Sequence, residues 1–237
     1  MDDNIVIFKG IKFYNYDFDE LFSVINEGGY LVAPAASALT NIDEDKIYHD
    51  TLVQSDVAIF DSGFFCILLR IFKKIKVKKL SGYFFLKNFL NLKFEKETKF
   101  LSIDPTKEDS EINAKYLKSK NLLNLSSYVA PIYNKNDIAD QNLLDIIYND
   151  KPRYIIINLG GGIQEPLALY IKNNINFKSS IFCTGAAIAF LTKTQAPIND
   201  TIDKLYLGWL VRTIHNPKKF LIRTIKSLSL IKQFLKK

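Results

Sequence analysis

Seven short apolar runs punctuate the chain: IVIF at 5–8, YLVAP at 30–34, DVAIF at 56–60, KFLSI at 99–103, SYVAPI at 127–132, YIIIN at 154–158 and SIFC at 180–183. The purest of them, YIIIN, shows no polar alternation, so a strand built from it has apolar side chains on both faces and must be covered on both. Between the runs, the segments 17–27, 43–54, 107–119, 137–148 and 165–174 carry apolar residues three and four apart, the spacing of a helix with one buried face. Strand–helix repetition of this kind predicts an α/β fold: a mostly parallel, Rossmann-like sheet with helices on both faces. With 237 residues, 48% of them hydrophobic, the chain can bury one substantial core, and no linker rich in Pro, Gly or Ser divides it. The expected organisation is a core over 1–202, with a small acidic N-terminal lobe, and a basic helical appendage over 203–237.

Sheets of this class bind ligands beyond the carboxyl ends of their strands, so the residues after each run are the candidates for chemistry. Three ends qualify. Asp61-Ser62-Gly63 follows DVAIF, where the carboxylate is a general base, a ribose ligand or the cap of a helix beginning near Phe64. Gly160, Gly161 and Gly162 follow YIIIN and precede Gln164 and Glu165; glycines there let backbone N–H groups approach an anion at a helix start. The cluster fits neither the dinucleotide fingerprint nor the P-loop, and a purely structural turn explains it equally well. Thr184-Gly185-Ala186-Ala187 follows SIFC.

Composition narrows the alternatives. Cys66 and Cys183 lie inside apolar runs and read as small buried hydrophobes, consistent with a reducing cytoplasm. With His49 and His215 the only histidines and no paired cysteines, no tightly bound metal and no cofactor is expected. The start MDDNIVIF is acidic where a signal peptide is basic, and no apolar run approaches the eighteen or so residues of a membrane span, so neither secretion nor membrane insertion is expected.

The net charge of +7 is unevenly spread. Residues 1–60 hold eleven acidic against three basic side chains, whereas no acid occurs from Lys204 to the end. There Leu221, Ile225, Leu228, Ile231 and Leu235 form one helical stripe after Pro217, with Lys219, Arg223, Lys226 and Lys237 away from it. Such a helix either packs its stripe on the protein's own core or lies on an anionic bilayer, where each cation near the headgroups contributes about 1 kcal/mol. A second basic cluster, Arg70, Lys73, Lys74, Lys76, Lys78 and Lys79, is a solvated face or an extension of the same footprint. Nucleic acid is not the expected partner, because no helix-turn-helix, zinc-finger or RNA-recognition signature accompanies the charge.

From about Tyr30 to Arg223 the motifs together resemble the WecG/TagA/CpsF family of bacterial glycosyltransferases. The matching elements are Asp61-Ser62-Gly63, Gly160 to Glu165, Gly185-Ala186, Gln195-Ala196-Pro197, Gly208-Trp209-Leu210-Val211-Arg212 and Pro217. The resemblance implies an inverting, metal-independent enzyme that passes a sugar from a UDP-sugar to a polyprenyl-diphosphate-linked saccharide, peripheral on the inner face of the cell membrane. It implies Asp61 as catalytic base. Donor contacts fall to Gly160, Gly161, Gly162, Gln164, Glu165, Gly185 and Ala186, and the diphosphate leaving group to Lys79, Arg212 and Arg223. The acceptor or sugar pocket is placed at Ala33, Ala35 and Ser62. Family members can be oligomeric, which keeps a homo-oligomer open.

The chain departs from the family pattern at its strand-end Thr-x-Asn, which reads Ala33-Pro34-Ala35 here, at an arginine that reads Lys79, and at an aspartate that reads Phe84. Gln195 stands for the arginine of Arg-Ala-Pro, and Gly208 for the glutamate before Trp209. Loss of those polar groups implies a different donor sugar from the N-acetylmannosamine of the best-known members. A catalytically silent nucleotide-binding or membrane-scaffold member is the alternative.

Overall fold

A computed structural model describes residues 4–195, 200–204 and 208–235, with backbone alone for Lys204, Trp209, Leu210, Arg212, Lys219 and Phe220. In chain order its elements are β1 (Ile5–Phe8), β2 (Ile11–Tyr14), α1 (Phe18–Ile25), β3 (Gly29–Val32), α2 (Ala36–Leu39), α3 (Lys46–Val53), β4 (Val57–Ala58), α4 (Gly63–Phe72) and α5 (Gly82–Phe89). Then come β5 (Lys99–Asp104), α6 (Lys107–Ser119), β6 (Asn124–Val129), α7 (Gln141–Asp150), β7 (Tyr154–Ile157), α8 (Gln164–Asn174), β8 (Ser180–Cys183) and α9 (Ala187–Leu191). The C-terminal part holds α10 (Asp200–Lys204), α11 (Gly208–His215), α12 (Pro217–Leu228) and α13 (Leu230–Leu235).

One eight-stranded sheet runs in the order β1-β2-β4-β3-β8-β7-β5-β6. All neighbours are parallel except β1 and β2, an antiparallel hairpin turned by Lys9 and Gly10 at φ +52° and +80°. Two consecutive positive φ values are the signature of a type I′ turn, which matches the twist of the strands it joins. The expected mostly parallel α/β sheet is therefore present. The central strands β7 and β8 are buried at every position, as their unbroken apolar runs require.

The two faces have separate cores. Ile155, Ile157, Ile181, Cys183, Val32 and Phe65 belong to one. Ile156, Phe182, Leu31, Val57, Ile59 and Phe85 belong to the other. Aromatic packing fastens α5 to the second face, with the Phe85 and Phe89 rings edge-on to Phe182 at 5.1 and 4.8 Å.

Two expectations are corrected. The strand expected at 127–132 is β6, Asn124–Val129, an edge strand with exposed and half-buried positions that lets Ser126 and Ser127 take part. The single tail helix is two: Ser229 interrupts it, its backbone N–H and its hydroxyl both donating to the Lys226 carbonyl. Beyond that break α13 buries Leu230 and Phe234, the latter stacking on Phe8 at 5.1 Å, while Leu221, Ile225 and Leu228 on α12 stay exposed. The tail thus divides its apolar residues between the core and the surface. Among the described residues no helix is long and apolar enough to cross a membrane.

Candidate active site

Asp61 sits half-buried just beyond β4, where Ile59 N–H still bonds the Val32 carbonyl at 3.0 Å and holds the segment to β3. Its Oδ1 accepts the Gly82 N–H at the start of α5, 2.9 Å away. A carboxylate at a helix N-terminus meets both an unpaired donor and the positive end of the helix dipole, which fixes its orientation. Asp61 does not cap α4. That place belongs to Ser62, whose Oγ accepts from Phe65 N–H at 3.3 Å.

Gly82 packs so closely on the end of β8 that a Cβ there would lie 2.7 Å from the Thr184 carbonyl oxygen and 3.2 Å from the Thr184 Cβ. Only a residue without a side chain lets α5 approach this far. The next residue, Gly185, at φ +65°, donates its N–H to Gln164 Oε1 at 3.1 Å. The ends of β4, β8 and β7 are therefore coupled in one continuous series: Asp61, Gly82, Thr184, Gly185, Gln164.

Gln164 is 1% exposed, and its Nε2 donates to Glu165 Oε1 at 3.0 Å. The Gln164 amide thus ties the glycine loop to the β8 turn. Glu165, equally buried, accepts Gly162 N–H at 2.7 Å. Burial pushes the Glu165 carboxyl above its ordinary value, against the pull of the Gln164 and Gly162 donors. Its carboxylate thereby occupies part of the N-terminus of α8, where Ile163 offers no side-chain cap. Gly160 and Gly161 are exposed, and a Cβ added at Gly160 or Gly162 would meet nothing within 4 Å. Their backbone is open to a ligand.

Ala33 and Ala35 are half-buried beyond β3, and Ala35 precedes α2 without a side-chain cap. Ala186 precedes α9 in the same way. Lys79 is drawn into an ion pair with Asp203 of α10, and its Nζ also donates to the Asp203 carbonyl at 2.7 Å. Ser81 caps α5 through its Oγ and donates to the other Asp203 oxygen at 2.8 Å. Asp200 takes both its oxygens to Lys87 at 2.6 Å, with the Tyr83 hydroxyl 3.3 Å away. Two aspartates thus clamp α10, the root of the appendage, along α5 beside Asp61.

Farther on, α12 reaches α2: Thr40 Oγ1 donates to the Lys226 carbonyl at 3.2 Å and Gln233 Nε2 to the Thr40 carbonyl at 2.9 Å. Arg223 is exposed on α12. The Arg212 side chain, together with Ala196 and Pro197, lies outside the described residues. The structure thus links Asp61 through Gly82 and Thr184 to Gly185, Gln164 and the glycine loop, and reaches Lys79 through Ser81 and Asp203. Sequence reasoning missed Ser81, Gly82, Asp203 and Asn158, while Thr184 stood in the strand-end segment it had singled out. Asp203 stands immediately before the acid-free stretch, the one local sign that sets it apart.

A carboxylate and a glycine loop thus meet at the carboxyl edge of a mostly parallel α/β sheet, the edge at which sheets of this class place their ligand sites. The model of the WecG/TagA/CpsF glycosyl transferase family matches residues 6–237, and the chain belongs to that family. No curated protein matches it.

Proposed function

We propose that the protein is an inverting glycosyltransferase that moves a hexose or N-acetylhexosamine from a UDP-sugar to a polyprenyl-diphosphate-linked saccharide in bacterial surface polysaccharide synthesis. The observation that carries this reading is the Asp61 carboxylate, held by α5 at the carboxyl edge and coupled through Gly82, Thr184 and Gly185 to Gln164. An ionised carboxylate so placed can take a proton as general base.

In the proposed step the acceptor hydroxyl oxygen attacks the anomeric carbon from the face opposite the diphosphate, and Asp61 takes the hydroxyl proton. The bond from the anomeric carbon to the phosphate oxygen breaks, its electron pair leaving with UDP. Departing charge is met by the open N–H groups of Gly160 and Gly161, with Arg223 and Arg212 as cations in place of a metal. Lys79 already faces Asp203, so its ammonium contributes chiefly by fixing α10 beside the site. Ala33, Ala35 and Ser62 line the sugar or acceptor pocket; apolar groups at the first two favour a donor that offers little to hydrogen-bond there. UDP release from a panel of UDP-sugars, with and without a polyprenyl-diphosphate-linked acceptor in lipid, tests the reading. Release with one donor, dependent on acceptor, supports it; UDP binding without turnover favours the silent member.

The appendage over 203–237 is proposed to hold the enzyme peripherally on the inner face of the membrane. Supporting this, Ile222 and Ile225 are 71% and 59% exposed on α12, alongside exposed Lys218, Arg223 and Lys226. On α4, Ile67, Ile71 and Phe72 are exposed next to Arg70 and Lys73, and the Phe72 ring meets Phe234 of α13 at 5.8 Å, which sets α4 against the last helix of the appendage. Apolar groups ringed by cations suit an anionic bilayer. Replacing Ile222 and Ile225 together by Glu is expected to lower cosedimentation with phosphatidylglycerol vesicles at least about tenfold, since it removes buried methylenes and adds repulsion. Undiminished cosedimentation would remove α12 from the membrane contact.

A further inference from the structure

Two side-chain atoms buried without a hydrogen-bond partner, Asn158 Oδ1 and Thr184 Oγ1, fall at neighbouring positions of the sheet's carboxyl edge. Ile157 pairs with Cys183 across β7 and β8, so Asn158 and Thr184 follow as the next pair, about 5 Å apart along the hydrogen-bonding direction. They share a face. Ile155, Ile157, Ile181 and Cys183 fill one core and Ile156 and Phe182 the other, and side chains alternate along a strand, which puts Asn158 and Thr184 on the side of Phe182 and α5. That is the side on which Gly82 presses against Thr184 and donates to Asp61.

The Asn158 amide has one possible orientation. Its Nδ2 donates to Asp104 Oδ1 at 2.8 Å and to Ser102 Oγ at 3.0 Å, and Asp104, fully buried, also accepts from Asn113 Nδ2 at 2.7 Å and from Ser102 Oγ at 2.8 Å. A flipped amide would set its oxygen against that carboxylate. Asn158 Oδ1 is therefore fixed as an acceptor, with no donor among the described residues, while the Thr184 hydroxyl beside it can both donate and accept. Leaving two such groups unpaired costs stability, and a ligand that supplies their partners recovers it.

We propose that Asn158 and Thr184 form a neutral subsite that reads two adjacent hydroxyls of the nucleotide-sugar. The inference rests on the reading of the protein as a nucleotide-sugar transferase and adds the residues that sense a vicinal diol. An anion is disfavoured there, because Asn158 presents its oxygen and Asp104 stands behind it; the diphosphate belongs at the glycine loop. Vicinal hydroxyls occur on both the ribose and the hexose, and the two sources separate experimentally. Thr184 lies next to Ala33 in the register of β3 and β8, where Val32 pairs with Cys183, so the edge carries a polar group on β8 beside an apolar one on β3.

The test is Thr184→Val, which keeps shape and removes the hydroxyl. The free variant is expected to melt about 2–4 °C higher than the native protein, because an unpaired buried hydroxyl is gone. It is expected to bind at least one probe about tenfold more weakly by calorimetry. If the ribose is read, UDP itself weakens, and 2′-deoxy-UDP or 3′-deoxy-UDP binds the native protein as weakly as UDP binds the variant. If the hexose is read, UDP is unaffected and the affinity for the UDP-hexose that the native protein turns over falls. A variant that melts lower with unchanged affinities would make the hydroxyl structural, for example through a trapped water, and overturn the proposal. Equal affinities for every probe, with native turnover intact, overturn the subsite alone; failure of the native protein to bind any of these probes overturns the transferase reading with it.

Discussion

Asp61→Asn is expected to lower acceptor-dependent turnover about 10²–10⁴-fold, the span that a positioned general base contributes, while UDP affinity stays within about twofold. The substitution is nearly isosteric, and the amide oxygen can still accept the Gly82 N–H that holds Asp61 to α5. What it removes is the ability to take the acceptor's proton. Turnover and nucleotide binding should therefore separate. A loss of UDP affinity as large as the loss of turnover would instead make Asp61 a donor ligand, and unchanged turnover would move the base elsewhere. Glu165 is a poor substitute, since it is 1% exposed and its oxygens are engaged by Gly162 and Gln164.

Asp203→Asn is expected to destabilise the protein by about 3 kcal/mol, with a fall in Tm of about 6–12 °C. The Lys79 and Asp203 side chains are only 9% and 12% exposed, so removing one charge strands the other away from water. Ser81 loses part of its anchor too, and with it the start of α5 where Gly82 orients Asp61. Activity should drop along with stability. The double replacement Lys79→Met, Asp203→Leu separates two roles of Lys79. Restored stability and restored turnover would confine the pair to holding α10 in place. Restored stability with turnover still lost would put the Lys79 ammonium on the diphosphate. Thermal melting and UDP release on the same samples decide it, and an unchanged Tm in Asp203→Asn would contradict the clamp itself.

The sheet was legible wherever burial on both faces erases alternation: the YIII and SIFC runs become β7 and β8 within a residue. Helix α6 was legible because Thr106 caps it and the polar segment 107–119 needs only one buried face. Less legible was β2, whose four residues IKFY alternate at the sheet's margin and whose hairpin turn is Lys-Gly in place of the usual Asn-Gly. Helix α5 was hidden by its own aromatics. Phe85, Leu86 and Phe89 are buried, Phe84 packs partly against the same core, and GYFFLKNF consequently reads as an apolar run.

The site followed the same division. Asp61 and the glycines are visible because they follow strands closely, and Gln164 because it opens the helix after the glycines. The partners that position them are not: Gly82 reaches Asp61 from 21 residues away, and Lys79 and Asp203 are separated by 124. Such pairings are created by the fold and leave no local spacing to find. That Asn158 and Thr184 each follow the last pair of the β7–β8 ladder, Ile157 with Cys183, is visible only once that register is known.

The most direct test of the account is the anomeric configuration of the transferred sugar. Full-length protein in anionic vesicles would be given the UDP-sugar it turns over and the lipid-linked acceptor, and the product's anomeric proton read by NMR beside the same reaction with Asp61→Asn. Single displacement with Asp61 as base predicts a product of configuration opposite to the donor, formed by the native protein and nearly absent with the variant. A product that retains the donor's configuration would require two successive displacements and contradict the mechanism proposed for Asp61.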